Sequence, residues 1–141
     1  MTPARTLSRR NALALMAAAL AVVACKQTGA ATEPVWGKEP CAHCKMLVTD
    51  KRYAAQLVDE NGEHRFFDDL GCMVLFMEGR NPSSHSWARE STSGTWVDAR
   101  TGKYVQGART PMDFGFEART DGTIPFEAMR MAVLEKKRGA R

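Results

Sequence analysis

The chain has 141 residues, with 20 basic and 16 acidic side chains and a formal net charge of +4. Three of the basic groups, Arg5, Arg9 and Arg10, stand in an N-terminal leader; without them 17 basic groups face 16 acidic ones, so charge gives no case for nucleic acid binding. The 117 residues from Cys25 onward suit one small domain or two very small ones.

The leader is basic and then apolar from Ala12 to Ala24, a run of 13 residues, short of the about 20 that a membrane-spanning helix needs. A basic start, a short apolar core and small residues before a cut site predict a signal peptide over residues 1–24. The run ends Val22-Val23-Ala24-Cys25, which resembles a bacterial lipoprotein box and predicts lipidation of Cys25. An ordinary signal peptide ending near a cysteine is the plainer reading. Ser8-Arg9-Arg10-Asn11-Ala12-Leu13 resembles a twin-arginine export signal, with Ala12 where a larger apolar residue is usual; general secretion is the alternative. Acyl chains on Cys25 would hold the protein at a membrane surface on the periplasmic side. Residues 25–39 are polar and small and predict a flexible tether, with Trp36 the first packed residue.

Two halves follow, 40–84 and 85–141. In the first, Met46-Leu47-Val48 and Ala54 to Val58 predict short strands, Glu60-Asn61-Gly62 a tight turn, and His64 to Phe67 a returning strand. Asp68 or Asp69 can cap a helix from about Leu70 to Glu78, where Leu70, Met73, Val74 and Met77 recur at helical spacing. In the second, Thr95 to Ala99, Lys103 to Val105 and Phe114 to Ala118 are extended, with turns at Thr101-Gly102 and Asp121-Gly122. Pro125 then fits the first turn of a helix to about Lys137, with Phe126, Met129 and Val133 on one face. Met129 and Met131 are expected as core filler. Each half is a few antiparallel strands and one helix, too small to bury a core alone. The expected fold is α+β, two small ββαβ-like units packed together.

Three features carry chemistry. Cys41-Ala42-His43-Cys44-Lys45-Met46 spaces two thiols to face one point. That geometry serves a dithiol redox pair, half a zinc site, part of a soft-metal site, or a simple disulfide closing a turn. The missing second CxxC and the nearby Met46 favour a soft metal, since a thioether suits Cu(I) and not zinc. Phe66-Phe67-Asp68-Asp69-Leu70-Gly71-Cys72-Met73 places a thiol in the first turn of a helix, where backbone N–H groups favour a thiolate; a buried structural cysteine is the alternative. Arg109-Thr110-Pro111-Met112-Asp113-Phe114-Gly115 sets Met112 in a proline-stiffened loop, as ligand or as filler. After Cys25 an odd number of cysteines remains (Cys41, Cys44 and Cys72), which a disulfide framework leaves unbalanced and a thiolate site does not.

Taken in order, C-x-x-C-x-M, then Phe-Asp-Asp-x-Gly-Cys-Met, then Trp-Val-Asp-Ala, Tyr-Val and Thr-Pro-Met before a last helix, the pattern from about Pro40 to Glu135 resembles the NosL family. These are lipoproteins associated with nitrous oxide reductase maturation. Lys45 and Asp113 stand where many members are expected to have glycine. The resemblance implies a periplasmic copper chaperone of two ββαβ-like units, not an enzyme, whose client is nitrous oxide reductase or another copper protein. The expected cargo is one Cu(I), held first by Met112, Cys41 and Cys44, then by Cys72 and Met46, with His43 as auxiliary. A membrane copper exporter is the expected donor. Two rival readings remain: a thiol-disulfide oxidoreductase using Cys41 and Cys44, and a non-catalytic lipoprotein with a structural metal or disulfide.

Overall fold

The computed structural model describes residues 29–80 and 85–140, and among them are seven short strands and two helices. The leader and Cys25 lie outside the described residues. Strands β1 (Ala55–Val58) and β2 (His64–Phe67) form an antiparallel hairpin. Its turn is held by Asp59, whose Oδ1 accepts from the N–H groups of Asn61 (2.9 Å) and Glu63 (3.0 Å), while Gly62 takes φ 79°. Helix α1 (Leu70–Met77) follows, capped by Asp69 in extended backbone (φ −146°, ψ 142°). Strands β3 (His85–Arg89) and β4 (Trp96–Asp98) then extend the first sheet, whose order is β2-β1-β3-β4. Strands β5 (Lys103–Gln106), β6 (Phe116–Ala118) and β7 (Ile124–Pro125) make a second sheet in the order β6-β5-β7. Helix α2 (Phe126–Gly139) closes the chain's described part. The α+β class expected from the sequence is the fold observed.

Several local expectations change. Met46-Leu47-Val48 is not a strand but part of a loop closed by a single bridge between Pro40 and Leu47. Pro125 is the N-cap of α2, one residue before its first turn. Met129 is fully buried as filler, but Met131 is 47% exposed, because the two positions fall on different sides of the helix. Strand β3 was not anticipated. It pairs with β1 from Ala55↔Ala88 to Val58↔His85, so the first sheet draws strands from both sides of residue 84.

Both sheets and both helices share one hydrophobic core. Phe67, Leu70, Met73 and Val74 from the first half meet Tyr104, Phe116, Met129 and Val133 from the second. Burying a side chain of this size contributes about 1.5–3 kcal/mol. Tyr104, the largest, satisfies its hydroxyl by donating to the Ala99 carbonyl at 2.6 Å.

The segment from Gly29 to Glu39 is not the flexible tether expected. It straps across the outer face of the first sheet, the side away from α1. Gln56 is fully buried there and needs partners: its Oε1 accepts from Thr32 N (3.1 Å) and its Nε2 donates to Thr32 O (3.0 Å). Trp87 Nε1 donates to Gly29 O at 2.9 Å. Further along, Glu33 accepts from Trp36 Nε1 (3.1 Å) and Trp96 Nε1 (2.9 Å) and pairs with Arg89. Burial opposes the Glu33 charge, but the bonds from Arg89, Trp96 and Trp36 outweigh it and hold the carboxyl below its ordinary range. The strap is ordered because buried polar groups of the sheet find their partners on it.

Candidate metal centre

The Cys41–Lys45 loop closes on itself before it meets anything else. Cys41 N donates to Met46 O (2.7 Å) and Lys45 N to Cys41 O (3.0 Å). Lys45 sits at φ 68°, the left-handed conformation that finishes so tight a turn, and its Nζ donates to Ala42 O at 2.8 Å. Ala42 N then donates to Phe66 O at 2.8 Å and docks the loop on the free edge of β2. One short step along β2 the chain turns into α1, with Cys72 in its first turn. The hairpin edge thus brings together thiols far apart in sequence.

The Sγ atoms of Cys41, Cys44 and Cys72 lie within 4.8 Å of one another. All three are free thiols; Cys41 and Cys72 are fully buried and Cys44 is half-buried. Three sulfurs each about 2.3 Å from one metal ion stand about 4 Å apart, so a triangle bounded at 4.8 Å is close to the size of a chelate. It is the one such cluster of Cys, His, Asp and Glu among the described residues, and it could bind a metal ion. His43 does not join it.

Helix position alone favoured a thiolate on Cys72; the arrangement puts it on Cys41 instead. The neighbouring Cys72 thiol, and after it the backbone amides of Cys44, Asp68 and His43, favour charge on Cys41 and hold it well below the usual thiol range despite its burial. Cys41 in turn, with burial and the neighbouring charges, pushes Cys72 far up. Burial also raises Cys44. Within the reduced triad, negative charge is thus favoured on Cys41 over Cys44 and Cys72. Asp68 is also raised, chiefly by burial, although the N–H of Thr49 bonds its Oδ1 at 3.0 Å. His43 is lowered by burial and by Lys137, Arg80 and Lys45, against the opposite pull of Cys41.

The two methionines stand differently. Met46 is 51% exposed and lines an open concavity of ≈ 600 Å³ with Thr49, Asp68 and Pro111. Met112 is half-buried against the core, and its backbone is tied to the helix that carries Cys72. The tie is Asp69, which the sequence offered only as a cap. Its Oδ1 accepts from Gly71 N (2.8 Å) and its Oδ2 from Met112 N (3.0 Å). The loop is fastened twice more. Phe114 lies on Gly71, where no Cβ would fit, and Lys136 bonds the Asp113 carbonyl and carboxylate. Asp113 is at φ 57°, so Lys45 and Asp113 are the two non-glycine residues with positive φ among those described. Glycine inside a short helix was the sequence signal for the Phe114 contact, because helix propensity alone disfavours it.

Asp69→Asn tests the tie. Asparagine caps a helix as well as aspartate, so helix content should stay unchanged. Its amide cannot accept from both Gly71 and Met112, and the unmatched N–H should lower stability by about 1–2 kcal/mol. Chemical denaturation followed by circular dichroism reads both quantities; an unaltered midpoint would remove Asp69 as the link.

Comparisons with protein-family models, with curated proteins and with solved structures return no match. The fold and the site define a small α+β protein with a three-thiol centre, half-open at one cysteine, that could hold one metal ion.

Proposed function

We propose that this chain is an exported, lipid-anchored Cu(I) chaperone of the NosL type. The observation that carries the reading is the triangle of Cys41, Cys44 and Cys72, two sulfurs buried and one half-open. Structural zinc favours four protein ligands; three thiolates suit Zn(II) or Cu(I), and thioethers such as Met112 and Met46 tilt the choice to Cu(I). Cys41, Cys44 and Cys72 are the primary ligands of this proposal, with Met112 and Met46 as auxiliary thioethers. A second support comes from Lys45 and Asp113, which adopt left-handed backbone at the two places where the resemblance expects glycine. The client would be nitrous oxide reductase or another copper protein, the donor a membrane copper exporter, and the location the periplasmic face of a membrane reached through Cys25.

A carrier fits this site better than a thiol-disulfide oxidoreductase. The sulfur that holds the negative charge, Cys41, is 0% exposed, and an attacking thiolate has to reach its substrate.

Competition between the reduced full-length chain and chromophoric chelators for Cu(I) and Zn(II) tests the proposal. One Cu(I) should bind tightly and zinc weakly. Negative charge is already favoured on Cys41, while Cys44 and Cys72, both raised, must each lose a proton. Binding should therefore release protons, and affinity should rise with pH while Cys44 and Cys72 remain protonated in the metal-free chain. Reduced protein that leaves Cu(I) with the chelator would overturn the chaperone reading.

A further inference from the structure

Beside the cysteine loop a groove of ≈ 530 Å³ runs between α1 and α2, lined by His43, Leu75, Glu78, Leu134, Lys137 and Arg138. We propose that it seats an acidic segment of the partner protein with which this chain exchanges metal, an inference that rests on the carrier reading above.

Leu75 and Leu134, both half-buried, give the groove an apolar floor. Its one acid, Glu78, is already bonded to Arg130 at 2.6 Å and contributes no free negative charge. Lys137 and Arg138 form no ion pair among the described residues, unlike Lys136, which is held by Asp113. Lys45 and Arg80 add positive potential, close enough to act on the His43 ring. Arg80 is fixed in place, its guanidinium 4.0 Å from the Phe76 ring centroid and bonded to the Phe76 carbonyl at 2.6 Å. A concave apolar floor inside a cationic rim fits a segment that presents carboxylates around a leucine-like side chain. Such a segment would lie one residue from Cys44, the half-open ligand.

An anionic membrane is the other surface a basic rim could meet, and the fold argues against it. The strap from Gly29 lies on the outer face of the first sheet, while α1 and its groove lie on the inner face. Cys25 precedes Gly29 by four residues, a reach of at most about 14 Å. An anchor at Cys25 would hold the bilayer nearer the outer face than the groove.

The test uses the reduced full-length chain in detergent and a fluorescent peptide of alternating glutamate and leucine, read by anisotropy. A lysine–leucine peptide and vesicles of phosphatidylglycerol and phosphatidylethanolamine serve as comparisons. The double variant Lys137→Glu/Arg138→Glu should weaken the acidic peptide about tenfold, and added salt should weaken it in the parent. Cu(I) affinity of the variant should equal that of the parent. Equal peptide binding by parent and variant, or no preference for the acidic over the basic peptide, would overturn the proposal. Vesicle binding lost in the variant, without peptide binding, would assign the patch to lipid and overturn it as well. A parent that binds the peptide but no Cu(I) would overturn the exchange role, and it identifies the carrier reading as the part that failed.

Discussion

Cys41→Ser should weaken Cu(I) binding by at least about a hundredfold, beyond the 10–100-fold that loss of an outer partner of a metal site typically costs. Cys41 is the centre of the cluster in every respect. It is the sulfur on which the neighbouring Cys72 thiol and nearby backbone amides favour charge, and it is fully buried. Serine keeps the shape and the loop hydrogen bonds, so the fold should survive while the soft anionic ligand is lost. Cys44→Ser should cost less, because Cys44 is half-exposed and enters protonated. Chelator competition on the reduced variants, paired with thermal melting of the metal-free proteins, separates ligand loss from unfolding. A Cys41→Ser chain that melts like the parent and binds Cu(I) as tightly would remove Cys41 from the site.

Gly71→Ala should destabilise the protein although alanine is the better helix former. The added Cβ would stand 2.1 Å from Phe114 Cγ and Cδ2, and 2.7 Å from its Cβ. The near edge of the ring, together with its Cβ, is in the way, so the loop itself has to move. Overpacking of this kind costs about 1–3 kcal/mol, against about 1 kcal/mol gained from helix propensity. Because the displaced loop carries Met112, Cu(I) affinity should fall with stability. The double variant Gly71→Ala/Phe114→Ala should be more stable than the sum of its singles, since the clash needs both partners. Strict additivity in that cycle, measured by denaturant unfolding, would show that the contact is not what glycine protects.

Local signals made much of this fold legible. The Asn61-Gly62 turn, the β2 strand and the Asp-capped α1 each announce themselves within a few residues. Strand β3 did not, because His85-Ser86-Trp87-Ala88-Arg89 lacks β-branched residues and buries its small members, Ser86 and Ala88, against the core. Its place beside β1 is a long-range pairing that no local pattern encodes. The strap was hidden for a similar reason: small polar residues describe a linker until Gln56 and Arg89 are seen to need them. At the site, each cysteine motif was visible alone, but their convergence depends on a hydrogen bond between Ala42 and the edge of β2. The helix-terminus argument for a Cys72 thiolate left out the two other thiols, which stand within 4.8 Å of it and, with burial, push Cys72 up while charge is favoured on Cys41.

The uneven burial of the three thiols also sets a kinetic direction. With Cys41 and Cys72 fully buried, Cys44 is the one thiol of the three that an incoming ligand for a bound ion would meet at the surface. Release by spontaneous dissociation would have to break two enclosed bonds, whereas displacement starts at one accessible bond. Metal departure from such a site should therefore be associative, its rate climbing in proportion to acceptor concentration instead of levelling at a fixed off-rate. An ion held this way is long-lived in the absence of an acceptor and quickly surrendered in its presence.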